Sequence, residues 1–129
     1  MTRLESPRSG QLQLAKREIS IFSAMIRPRS PETGKEWVSL LNRTEDEINL
    51  NGWVMRSKNG RKAVLQGRVG PGRMHMIGGA DIGTLRLGNQ GEDLMLRKAD
   101  NVLVDHVTWT REALLRGGPG IFYEFELGR

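Results

Sequence analysis

A chain of 129 residues, 37% of them hydrophobic, has the length of one domain with a thin core beneath a well-charged surface. It holds no cysteine, which excludes a disulfide framework and a thiolate metal site, and no apolar run nears the roughly 20 residues of a membrane-spanning helix. The formal net charge is +5 but unevenly spread: residues 36–55 hold one base against four acids, whereas 54–80 hold six bases and no acid.

The opening MTRLESPRSG has basic groups with no apolar run behind them, so no secretory signal is expected and the chain reads as cytoplasmic. Residues 1–17 read as a flexible segment in which Leu12 and Leu14, alternating with Gln11 and Gln13, offer a short edge strand. The domain proper is expected over 18–129. Its first strand draws on Ile19, Ile21, Phe22 and Ile26, and is ended by Pro28 and Pro31, with a turn at 31–34.

A second strand, Trp37 to Leu41, breaks at the acidic turn from Asn42 to Glu47, and Ile48 to Leu50 then leads through Asn51-Gly52 to Trp53. Val54-Met55 runs into Asn59-Gly60, a hairpin signal because the central residues of a type I′ turn need positive φ. Ala63 to Leu65 follows as a strand closed by Gly67. A turn over Val69 to Gly72 precedes the strand Met74 to Ile77, which Gly78-Gly79 stops. Ile82 to Leu87 reads as a brief run with Leu85 and Leu87 on one face. Gly88 to Gly91 turns the chain into Leu94 to Leu96, and Val102, Val104, Val107 and Trp109 mark the last strong strand.

Helix signals occur once, near 110–116, where Thr110 can cap and Gly117-Gly118 can terminate. The tail, Ile121 to Leu127, alternates and can close a sheet edge. Short strands with frequent turns predict an all-β antiparallel sandwich of about eight or nine strands. Leu50 and Trp53 are three apart, as are Val104 and Val107, although a flat strand places only even spacings on one face. Bends are therefore expected at Asn51-Gly52 and Asp105-His106, with Leu50 and Trp53 in one core and all three tryptophans structural.

The order of these motifs resembles the lamin tail domain, an immunoglobulin-like β-sandwich found also in many bacterial proteins. The resemblance rests on Glu36-Trp37-Val38 running to Asn42, Leu50-Asn51-Gly52-Trp53, Pro71-Gly72, Leu87-Gly88-Asn89-Gln90-Gly91 leading to Leu94 and Leu96, and Val104-Asp105-His106-Val107. It spans roughly residues 19–109 and does not reach 1–17. One departure is Glu92-Asp93, where the family has Gly-Asp before its apolar strand. Val107 to Thr110, with Ala113 and Gly118, is similar to copies in certain bacterial proteins. The resemblance implies a binding or tethering module. In lamins the domain is associated with chromatin and protein partners, and in bacteria it is often attached to enzymes acting on nucleic acids or other polymers.

Chemistry-bearing patterns are sparse. His75 and His106 lie on different strands without ligand-like spacing, and Glu45-Asp46-Glu47 lacks the oxygen pattern and glycine of a calcium loop. Gly67 to Arg73 is not followed by Gly-Lys-Ser/Thr and opens no helix, so a hairpin turn explains its glycines better than a phosphate loop. No nucleophile elbow is present, and neither cofactor, metal nor small-molecule substrate is expected. The leading expectation is a non-catalytic module that binds a protein partner or itself through sheet edges. The alternative is weak nucleic-acid or polyanion binding through phosphate contacts of Arg56, Lys58, Arg61, Lys62, Arg68 and Arg73.

Overall fold

A computed structural model of the chain describes residues 18–26, 36–58, 60–87, 91–117 and 123–125. The expected edge strand at Leu12 and Leu14 lies outside them. The described residues form ten strands in antiparallel sheets, an all-β sandwich. The first two strands are β1 (Ile19–Met25) and β2 (Trp37–Asn42), followed by β3 (Ile48–Asn49), β4 (Val54–Ser57), β5 (Lys62–Val64) and β6 (Arg68–Val69). Next come β7 (Met74–Gly78), a 3-10 turn over Gly79–Ile82, β8 (Gly91–Arg97) and β9 (Leu103–Thr110). Helix α1 (Arg111–Gly117) and β10 (Tyr123–Glu124) are the last elements among the described residues. Two four-stranded sheets, β10-β1-β2-β7 and β5-β4-β8-β9, enclose the core, with the pair β3-β6 beside them. Two-residue pairings raise the count above the expected eight or nine.

Alternation explains which side chains meet. Cross-strand partners Ala63, Met55 and Leu96 form one buried row, and Leu94 and Val107 belong to another. From the opposite sheet come Ile19, Ile21, Ala24, Val38, Leu40 and Ile77. Each Val, Leu, Ile or Met side chain among them, taken fully out of water, stabilises the fold by about 1.5–3 kcal/mol before conformational entropy is counted. Trp53 and Trp109 are buried, and Trp109 packs on Phe125 at 6.1 Å between ring centroids. Trp37 departs from the core expectation: Val38 and Leu40 point inward, so Trp37 turns outward and is half-buried.

The phase slips resolve differently from each other. Leu50 and Trp53 are both buried, but a turn joins them: Trp53 N–H donates to Leu50 O at 3.0 Å, and Gly52 has φ of 83°. Asn51-Gly52 thus carries the chain from the β3-β6 pair into β4 and is not a bend inside one strand. In β9 the register shifts between Asp105 and Leu103, so the extra residue is Val104 and not Asp105-His106. Asp105, Val107 and Trp109 then share the inward face, and Val104 is half-buried.

A bulge not anticipated lies in β1, where Ile21 pairs with Leu40 and Ser23 with Ser39, leaving Phe22 extra. The two bulges face each other across the core. Asp105, 1% exposed, accepts the N–H of Ile21 on Oδ2 at 2.7 Å and that of His106 on Oδ1 at 2.8 Å. A carboxylate so buried is tolerated because backbone donors surround it, and here it ties the two large sheets together.

Turn chemistry is the other determinant. Asn42 is fully buried and its Nδ2 donates to the carbonyls of Asp46, Val69 and Gly70 at 2.8–3.0 Å. Its Oδ1 accepts from the N–H and hydroxyl of Thr44. One side chain therefore organises the turn after β2 and the turn before β7. In that second turn Pro71 is followed by Gly72 at φ 69°, and Arg73 N–H closes it on Gly70 O. It links β6 to β7, which belong to different sheets, so it is not the hairpin expected from the glycines.

The β4–β5 hairpin forms as anticipated, but Gly60 N–H bonds Ser57 O, making Gly60 (φ 88°) the last residue of the turn and not a central one. Leu85 and Leu87 are buried, although 85–87 is irregular rather than a strand. Thr110 caps α1, its hydroxyl accepting from Ala113 N–H at 3.1 Å, and β10 pairs with β1 and closes that sheet edge.

Candidate functional site

The six bases singled out by the sequence do not come together as one group. Arg56 and Lys62 are cross-strand partners on the outward face of β4 and β5, because Met55 and Ala63 between them take the inward positions. Lys58 and Arg61 belong to the adjoining hairpin loop, so four of the six gather at one end of this sheet. Arg68 lies on β6 and pairs with Glu47 at 3.3 Å, an exposed contact that contributes at most about 1 kcal/mol. Arg73 precedes β7, next to the other large sheet.

The fold adds a base that the sequence pattern missed. Arg97 of β8 is the register partner of Val54, which places it on the same outward face as Arg56. Its guanidinium donates to Asn101 O at 3.2 Å and approaches Met95 Sδ at 3.8 Å. Only the β4–β8 pairing reveals this, since Arg97 lies well beyond the acid-free stretch. Across the sheet Lys62, Arg56, Met95 and His106 form one outward row, and His106 Nε2 is 3.7 Å from Asp93 Oδ1.

The opposite sheet turns a different chemistry outward. Its register makes rows of Ser23, Ser39 and Met76, of Ser20, Leu41 and Met74, and of Met25, Trp37 and Gly78, in which the three serines are buried and the two β7 methionines are exposed. None of these strand positions carries a charge, although Arg43 reaches the margin and donates to Ser20 Oγ at 3.1 Å. Ser23 and Ser39 satisfy each other at 2.6 Å between hydroxyl oxygens. Met74 and Met76 are 55% and 52% exposed, unusual for two large apolar side chains on one strand.

Those methionines sit on an open edge. Asn42 N–H donates to Arg73 O, and the register continues through Leu40 with His75 and Val38 with Ile77. Alternate pairs of an antiparallel ladder exchange bonds, so the N–H and C=O groups of Met74, Met76 and Gly78 point away from β2. Among the described residues nothing else bonds them. By contrast, the outer edge of β5 is taken up at Lys62, where Thr84 N–H donates to Lys62 O at 3.1 Å and Thr84 Oγ1 accepts from Lys62 N–H at 3.2 Å, while the backbone groups of Val64 stay open among the described residues.

His75 packs beside Gly67 on β7 while His106 lies on β9, so the two histidines are in separate sheets. Among the described residues no three His, Asp or Glu side chains assemble as a metal site. No helix among them is long and apolar enough to cross a membrane. Comparison with models of known protein families finds no match, and comparison with curated proteins finds none.

Proposed function

We propose that this chain is a non-catalytic binding or tethering module of the lamin-tail kind, engaging a protein partner along the β7 side of its sandwich. The observation that supports this reading is the open edge of β7, which carries the exposed Met74 and Met76 and no Lys, Arg, Asp or Glu side chain. Strand addition supplies affinity through backbone hydrogen bonds, and exposed thioether side chains adapt to a partner's surface. The test is a photo-crosslinking residue at Met76 of the full chain in its native cell, with the same residue at Glu45 as a control. A protein adduct at Met76 and not at Glu45 is expected. The absence of any protein adduct at Met76 overturns the reading.

A second reading is favoured by the basic face, where Arg97 joins Arg56, Lys58, Arg61 and Lys62. It takes this surface as a weak, sequence-indifferent docking site for the phosphates of a nucleic acid or other polyanion. Binding to duplex DNA should then fall steeply with salt, and charge reversal at Arg56, Lys62 and Arg97 together should abolish it. Salt-insensitive binding, or none in dilute buffer, rejects this second role.

A further inference from the structure

We infer that the partner of the β7 edge is a second copy of this chain, paired antiparallel about a two-fold axis through Met76. The inference rests on the proposed protein-binding role and adds the identity of the partner.

Three observations carry it. First, β7 is unprotected where its counterparts are not. Natural edges are blunted by charge, bulges, brevity or cover. Among the described residues β5 is three residues long, carries Lys62 and is bonded there by Thr84, β10 is two residues long, and β9 carries the bulge at Val104. The sequence of β7, MHMIG, contains no Lys, Arg, Asp, Glu or Pro.

Second, the outward backbone groups belong to alternate residues symmetric about Met76. Antiparallel self-pairing there sets Met76 against Met76 of the other copy, and Met74 against Gly78. Both pairings are of the type that exchanges two N–H···O bonds. The missing side chain of Gly78 leaves room for the facing Met74. The two sheets would then continue as one, β10-β1-β2-β7 joined to its own image.

Third, the charges at the two ends of β7 are complementary only in this orientation. Arg73 precedes the strand and Asp81 follows it; both are exposed, and neither has an ionic partner among the described residues. A two-fold axis at Met76 brings Arg73 of each copy toward Asp81 of the other. A parallel arrangement would align like charges instead, which disfavours it.

The test uses the full chain and exploits its lack of cysteine. Met76→Cys, under mild oxidation, should give a disulfide-linked dimer, because facing residues of such a pair lie within disulfide reach. Val64→Cys, equally exposed but at the end of three-residue β5 beside Lys62, should remain monomeric. In light scattering the unmodified chain should show twice the chain mass. Arg73→Glu and Asp81→Arg should each weaken the dimer at least tenfold, and the double swap should recover most of the loss.

A chain that stays monomeric at every accessible concentration overturns the inference, as does a dimer indifferent to both charge changes. If Met76 crosslinks a different protein while the chain is monomeric, the second-copy inference fails and the binding role stands. If Met76 crosslinks nothing, both fail.

Discussion

The edges of β5 and β7 show two treatments of the same problem. Each ends a four-stranded sheet, and each exposes a large apolar side chain to solvent, Val64 on one and Met74 and Met76 on the other. On β5 the following chain folds back, so that Thr84 takes both hydrogen-bonding groups of Lys62. On β7 the chain leaves through the 3-10 turn and the edge stays open. Among the described residues the open backbone therefore amounts to one residue, Val64, on β5 and to three, Met74, Met76 and Gly78, on β7.

The contrast can be broken from the covered side. Gly52 N–H donates to Leu65 O and Leu65 N–H to Trp53 O, bonds that extend the β4–β5 ladder at its base. Gly52→Val places a β-branched residue at φ 83° with its Cβ 3.2 Å from that of Ala99. A loss of about 3 kcal/mol is expected, read as a fall in the denaturant midpoint; an unchanged midpoint would show that the turn is not required. Next in size is Gly83→Ala, where a Cβ would lie 2.9 Å from Lys62 O at φ 62°. Backbone on both sides leaves little room to relax, so about 2 kcal/mol should be lost and the strap over β5 should lift. Hydrogen exchange at Lys62 would report the lifting, and continued protection there would refute it.

The smallest expected change sharpens the comparison most. Thr84→Val keeps the shape but removes the acceptor for Lys62 N–H, destabilising the fold by about 1 kcal/mol. If open backbone is what makes an edge adhesive, this variant should self-associate more than the parent chain, by sedimentation, despite its small loss of stability. No added association would show that covering matters less than side-chain chemistry.

Most of the sandwich was legible in the sequence because its signals are local. Period-two alternation marked the strands, Thr110 marked the helix start, and glycine and proline marked the turns. What escaped was relational. Nothing near Phe22 announces a bulge, which exists because Ile21 and Ala24 must both face the core with an odd spacing between them. Asn42 and Asp105 appeared only as members of a motif series, and their burial and bonding depend on segments far along the chain.

The surfaces divide in the same way. A run of bases without acids is visible by inspection, yet pairing scattered Arg68 and Arg73 away from it and recruited Arg97. The neutrality of Met74 to Gly78 was also readable. That its outer backbone groups are left open follows from strand order alone.

The place of β1 has a consequence for how the chain is made. It is the first strand among the described residues, yet it lies between β2 and β10, and its Ile21 N–H is bonded by an aspartate 84 residues later. During synthesis, β1 can therefore meet β2 early, while its tie to the facing sheet and its other neighbour arrive only with Asp105 and with Tyr123–Glu124. Closure of the sandwich is thus a late, non-local event, of the kind that slows β-rich folding. Until then the emerging chain presents unfinished strand edges on both sides of its first sheet.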